Sequence, residues 1–189
     1  MIENKWLYIA SSCDMPDGPD ANLPRIVVPY SDENSLVFQS MKLNLTVQGL
    51  NPRYVDVSGN NFAYDSLFRE LWSEGKPFII VEHDIFPWPG ALEQLWKCEC
   101  IWGAFSYYVF GQLRVQLGCT KFNPAALGRL PLPDQPTHWS RLDWVVITNL
   151  SKRWESGHLH NPPVAHLNYA HKRRGQVDHT PESVHSAFG

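Results

Sequence analysis

Three stretches of the chain carry side chains able to do chemistry together. In "VEHDI" (Val81–Ile85), Glu82 and Asp84 stand one residue apart, directly behind the aliphatic run Phe78–Val81. Two carboxylates so spaced, on a turn leaving a buried strand, can set one oxygen on a divalent cation while the other reaches a neighbouring hydroxyl. Burying anionic groups is costly unless a cation or donors meet them, and a magnesium or manganese ion bridging two phosphates supplies that compensation. The same acids also suit a solvated turn, where they would cap the next element.

The second stretch holds His158, His160, His166 and His171, with Asn161, Pro162 and Pro163 among them. Histidine is a common metal ligand, and two prolines stiffen a loop that presents it. A loop histidine serves as readily in an exposed or hydrogen-bonded structural place. His166, behind the apolar Val164 and Ala165, is the one expected to point inward. The third stretch is "HWSRLDWVV", where Asp143 lies in aromatic and aliphatic surroundings. Buried beside a cleft, Asp143 would have a raised pKa and act as a general base toward a hydroxyl; on the outer face of an amphipathic helix it would be a solvated acid.

Asp56 in "VDVSG" closes a short β-branched run. Acids at that place bind a ribose or base edge in nucleotide-binding sheets, and they also cap helices. The chain holds eight tryptophans. They can stack on a sugar or base, but most of Trp72, Trp88, Trp96 and Trp102 are expected in the core.

The elements that must position these groups follow from apolar runs and their breakers. "RIVVPY" reads as a strand, "SLVFQSMKLNLTVQGL" as a helix behind the capping residues Ser31 to Asn34, "RYVDVSG" as a second strand and "FAYDSLFRELWSEG" as a second helix. "PFIIVEHDI" is a third strand, apolar without alternation, as a central parallel strand covered on both faces should be. "WPGALEQLWKC" reads as a helix entered through Pro89. This β-α-β-α-β-α order implies an α/β fold with a parallel sheet whose ligand lies beyond the carboxyl ends of its strands. Glu82, His83 and Asp84 then sit at the mouth of the sheet. Residues before Pro24 can add an edge strand. After Cys100 the pattern turns irregular, with a strand-like "VQLGCTKF" and a helix "SRLDWVVITNLSKRW", and the last third is expected to be short of regular structure.

Bulk composition limits the alternatives. At 189 residues, 43% hydrophobic and 19% charged, the chain suits one globular domain. A net charge of −3 does not make the basic field that non-specific nucleic-acid binding requires, although His171 to Arg174 form a local basic run. The cysteines Cys13, Cys98, Cys100 and Cys119 match neither a paired zinc pattern nor a disulfide scaffold, which points to a reducing compartment. No basic-then-apolar leader opens the chain and no apolar run reaches membrane length, so a cytoplasmic protein without a membrane partner is expected.

Taken in order, "RIVVPY", "YVDVSG", "PFIIVEHDIFPWPGAL", "LGCTKF", "HWSRLDW" and "NPPVAHLN" resemble the motifs of small glycosyltransferases with the glycosyltransferase-A fold, over Arg25 to Asn168. The resemblance implies a single-domain fold over residues 1–170, followed by a basic tail, 171–189. In that superfamily a DxD motif binds the metal and the diphosphate of a nucleotide sugar, and "EHD" looks like that motif with glutamate in first place. Carried over, Asp84 would be a metal ligand, Glu82 a ribose or metal contact, and His166 the late histidine completing the site. Pro29, Tyr30 and Asp56 would line the nucleotide pocket, Asp143 would be the catalytic base of an inverting enzyme, and Gly118 to Phe122 would lie near sugar and acceptor.

The implied cofactors are manganese or magnesium and a nucleotide-sugar donor, a uridine diphosphate sugar first among them. Compact proteins of this appearance also occur in bacteriophages, which suggests as acceptor a hydroxymethylated base of viral DNA, a protein or a small molecule, and the host cytoplasm as the setting. Two other readings remain open on the residues alone. One is a metal-dependent hydrolase in which the late histidines and the "EHD" acids share zinc or paired ions. The other is a non-catalytic module that binds a glycan or a protein through its aromatic surface.

Overall fold

The computed structural model describes residues 25–109, 111–153 and 157–167. The edge strand expected before Pro24, His171 and the basic tail lie outside the described residues. The first half follows the expected alternation: β1 (Ile26–Tyr30), α1 (Leu36–Val47), β2 (Arg53–Asp56), α2 (Ala63–Ser73) and β3 (Phe78–Val81). Next come β4 (Ile85–Phe86), α3 (Ala91–Lys97), β5 (Trp102–Phe105), β6 (Tyr107–Val109), β7 (Gln112–Arg114) and β8 (Cys119–Phe122). The last elements are α4 (Pro124–Leu127), α5 (Trp139–Arg153), β9 (His158–His160) and β10 (Ala165–His166).

Six strands form the central sheet in the order β2-β1-β3-β8-β5-β9. Its β1–β2, β1–β3 and β5–β9 pairs are parallel, and β8 runs antiparallel to both β3 and β5. The sheet is therefore mixed but mostly parallel, with one reversed strand at its middle. The unbroken apolar runs are explained by burial on two faces. Along β3, Phe78 and Ile80 join one core with α2 and α5, while Ile79 and Val81 join a second with α1 and α3. Val27 and its neighbours Ile26 and Val28 divide in the same way, because successive strand side chains point to opposite faces.

Pro29 has a specific effect on this sheet. Strand β1 keeps its register with β2 as far as Tyr30, opposite Asp56, but pairs with β3 only at Ile26 and Val27. A proline offers no N–H to a ladder, so the β1–β3 seam opens where Pro29 stands. The chain crosses from β2 over β1 to β3, which makes that seam the switch point of the sheet, the place where open α/β sheets take ligands.

Three expectations are corrected. The third strand does not run through to Ile85: it ends at Val81, the Ile85 N–H closes a turn onto the Glu82 carbonyl at 2.9 Å, and β4 pairs with β10 outside the main sheet. Helix α3 begins at Ala91 behind Gly90, whose φ of 88° lies in the left-handed region that favours glycine, and not at Pro89. Within its described residues, 157–167, the late histidine segment is not irregular, since β9 extends the main sheet and β10 completes a two-stranded ribbon. Of the four tryptophans expected in the core, Trp72 and Trp102 are buried, whereas Trp88 and Trp96 are half-buried.

Candidate active site

Strands β1, β2 and β3 end side by side, and the turn after β3 carries the acids. Glu82 is tethered by its own backbone, its N–H donating to the Gly118 carbonyl at 2.9 Å just before β8. The Tyr64 hydroxyl, from the buried face of α2, donates to Glu82 Oε1 at 3.0 Å. Asp143 comes from α5, whose neighbouring Leu142 and Val146 are anchored in the core, and its carboxyl is hydrogen-bonded to that of Glu82. Two carboxyls in such contact share one proton.

The electrostatics assign that proton to Glu82. Burial, with repulsion from Asp143 and Asp84, pushes the Glu82 carboxyl well above the usual carboxylate range. Burial and then the Asp84 charge push Asp143 up to about 7, an effect that the hydrogen bond from Glu82 moderates. Glu82 thus donates and Asp143 accepts, at the end of a chain that runs from the Tyr64 hydroxyl through Glu82.

Asp84 makes the other half of the cluster. Its Oδ2 lies 3.4 Å from His166 Nε2, both side chains being mostly covered. Strand β10 brings the histidine there: His166 stands opposite Ile85 and Ala165 opposite Phe86, while the Leu167 N–H donates to the Asp84 carbonyl at 2.9 Å. The Tyr107 ring stacks on His166 at 5.2 Å between centroids. Tyr107 is buried, its hydroxyl donates to Gln116 Oε1 at 3.3 Å, and burial with the nearby Glu82, Asp143 and Asp84 charges holds that hydroxyl protonated.

The donor set can be tested against a divalent cation. Two ligands of one octahedral magnesium or manganese ion stand about 3 Å apart, close to the Asp84–His166 separation. With the proton on Glu82, the Asp143 and Asp84 carboxylates still place negative charge close together, which a cation would relieve. His166 Nδ1 is buried without a hydrogen-bond partner. Glu82, expected as a ribose or metal contact beside Asp84 and His166, is engaged by Tyr64 and Asp143. Among the described residues, three ligand atoms within 4.8 Å of one another occur at Cys98, His158 and His160 and not at this cluster. The Asp84–His166 pair fits a cation that keeps water and substrate phosphates in its shell, as magnesium characteristically does.

The residues expected to line a nucleotide pocket sit on the adjoining strand ends. Pro29 is buried, Tyr30 stacks on Phe38 at 4.4 Å, and Asp56 is exposed. The Ser58 N–H donates to Asp56 at 2.8 Å and holds its carboxyl below the usual range. Among the described residues the late histidines divide: His166 joins Asp84, whereas His158 and His160 join Cys98, so these three do not share one centre with the acids. Two surface hollows of about 240 and 590 Å³ lie around Pro133 and Val145 and are not lined by the acids.

Sequence reasoning missed Tyr64, Tyr107 and Gln116. Tyr64 was hidden in the apolar face of α2 and Tyr107 in an aromatic run, and nothing in their spacing marks them as partners of an acid.

No family model matches the chain, and no curated protein matches it. Among solved structures it is similar to a glycosyltransferase involved in the glycosylation of the major capsid of PBCV-1, at 10% identity and a TM-score of 0.38, over 74% of this chain and 83% of that one.

Proposed function

We propose that the protein transfers a sugar from a nucleotide-sugar donor, a uridine diphosphate sugar in first place, to an acceptor hydroxyl, with manganese or magnesium held by Asp84 and His166. The observation that carries this reading is the meeting of the Asp84–His166 pair with the Glu82–Asp143 pair beside the open β1–β3 seam. Pro29, Tyr30 and Asp56, on the adjoining strand ends, are assigned to the nucleoside. A cation in this place supplies charge neutralisation for a leaving diphosphate.

The chain's own residues account for the remaining requirements. Asp143 takes the acceptor proton as the acceptor oxygen bonds to the sugar carbon and the carbon–oxygen bond to the diphosphate breaks, its electron pair leaving with the phosphate. A carboxyl raised to about 7 is well matched to that transfer near neutral pH. Glu82, keeping its proton and fixed by Tyr64, orients Asp143. A single displacement of this kind inverts the sugar carbon. The acceptor is a hydroxyl on a hydroxymethylated DNA base, a protein or a small molecule.

The test is mass spectrometry of these three acceptor classes after incubation with manganese and mixed nucleotide sugars. A gain of one sugar residue, absent with Asp143→Asn, is expected. Folded protein that binds no donor with either metal would overturn the reading.

A further inference from the structure

A second constellation lies away from the acidic cluster, on the α3 side of the sheet. His158 and His160 alternate along β9 and so project from the same face, their rings stacked at 4.2 Å. Strand β9 lies at the sheet edge, beside β5, with His158 opposite Gly103 and His160 opposite Phe105. Gly103 leaves the room that His160 occupies, since a Cβ there would come within 3.2 Å of His160 Nε2. Just beyond the end of α3, Cys98 sets its Sγ 3.2 Å from His158 Nδ1.

Neither ring nitrogen of His160 has a hydrogen-bond partner, although the residue is only 3% exposed. Leaving such a group unsatisfied is destabilising, and a buried polar side chain without partners asks for a ligand. One ligand atom from each of Cys98, His158 and His160 lies within 4.8 Å of the other two. In a tetrahedral zinc site, nitrogen and sulfur ligands stand roughly 3.3–3.8 Å apart, so a small contraction would seat the three on one ion and leave its fourth position to water.

Lys121 is the countervailing charge. Its ammonium, buried in β8, donates to the carbonyls of Trp96 and Cys98. A thiolate at Cys98 would offset that charge, and one sulfur with two imidazole nitrogens selects a thiophilic cation over magnesium or manganese.

We propose that Cys98, His158 and His160 hold a zinc ion, with water as the fourth ligand, that pins the edge strand β9 to the end of α3. The chain passes directly from β9 through Asn161–Val164 to β10, so the staple also anchors the segment that presents His166 to Asp84. The site is separate from the proposed catalytic cation and would stand whether or not sugar transfer is the activity.

The test uses the full chain, stripped with chelator and titrated with zinc alone, then with cobalt as a spectroscopic substitute. One equivalent of zinc with a rise in Tm is expected, together with a thiolate-to-cobalt charge-transfer band. Cys98→Ser should abolish the band, and both it and His160→Gln should weaken zinc by more than about a hundredfold, while Asp84→Asn leaves zinc binding unchanged. Circular dichroism of each variant confirms that it is folded; should Cys98→Ser not fold, His158→Gln takes its place. No zinc bound by folded wild-type protein, or equal binding by the Cys98 and His160 variants, would overturn the proposal.

Discussion

Asp84 Oδ2 faces His166 Nε2 at 3.4 Å, and the backbone of the same two segments is joined as well, through the β4–β10 pairing and the bond from the Leu167 N–H to the Asp84 carbonyl. The contact is thus built into a ribbon and does not depend on two long side chains finding each other. If this pair holds the cation, Asp84→Asn should keep the fold and lower manganese-dependent sugar transfer by about a hundredfold or more. Steady-state rates across a manganese titration would check this, and a rate equal to wild type at every concentration would remove Asp84 from the metal site.

In the proposed reaction Asp143 serves the acceptor proton and not the donor. Asp143→Asn should therefore lower kcat by about 10² to 10⁴ while leaving donor affinity near the wild-type value. Calorimetry with the donor, set beside kcat, separates the two. A loss confined to donor binding would move Asp143 out of the base role.

The raised carboxyl also has a stability consequence. In cation-free protein Asp143 titrates near 7, above its range in the unfolded chain, so between those values the folded state binds the extra proton. Its contribution is full at acid pH and is lost as pH rises through about 7. His160 acts in the opposite sense, because its lowered value removes stability as pH falls from the ordinary histidine range towards about 4. Comparing wild type with Asp143→Asn cancels the histidine. From pH of about 5 to about 8, chelated wild type should lose stability relative to the variant in denaturant melts. Parallel curves would contradict the buried acid pair.

The legible parts of this fold and site were those written in neighbouring residues. The aliphatic runs at Ile26–Val28 and Phe78–Val81 announce strands because two-faced burial removes their alternation, and the acids behind Val81 mark that strand's end. What stayed hidden depends on partners distant in sequence. Nothing near Cys119–Phe122 indicates that β8 inserts, reversed, between β3 and β5. Tyr64 reads as a core residue of α2 until Glu82 is brought to its hydroxyl. Cys98 is unremarkable in sequence and meets His158 only because β9 returns to the edge of the sheet. His166 was singled out by its apolar neighbours and placed beside Asp84 by the family resemblance; the β10 strand that carries it there was not legible.

Gly118 offers a test of how tightly the cluster is packed. A Cβ at this position would lie 2.6 Å from the Tyr107 hydroxyl, and the Gly118 carbonyl accepts the Glu82 N–H. Gly118→Ala should cost about 1–3 kcal/mol by overpacking and displace both Tyr107 and Glu82. Urea melts would show the loss of stability. Activity should fall further than the equivalent destabilisation produces in Leu71→Ala, which leaves the acids untouched; equal losses would separate Gly118 from the site.

Anomalous scattering from manganese, in crystals grown with a uridine diphosphate sugar, tests the central claim most directly. A peak is expected within coordinating distance of both the Asp84 carboxylate and His166 Nε2, next to the diphosphate and absent from crystals of Asp84→Asn. Manganese with its diphosphate seated elsewhere, and an Asp84–His166 pair left bare in the same crystal, would contradict it.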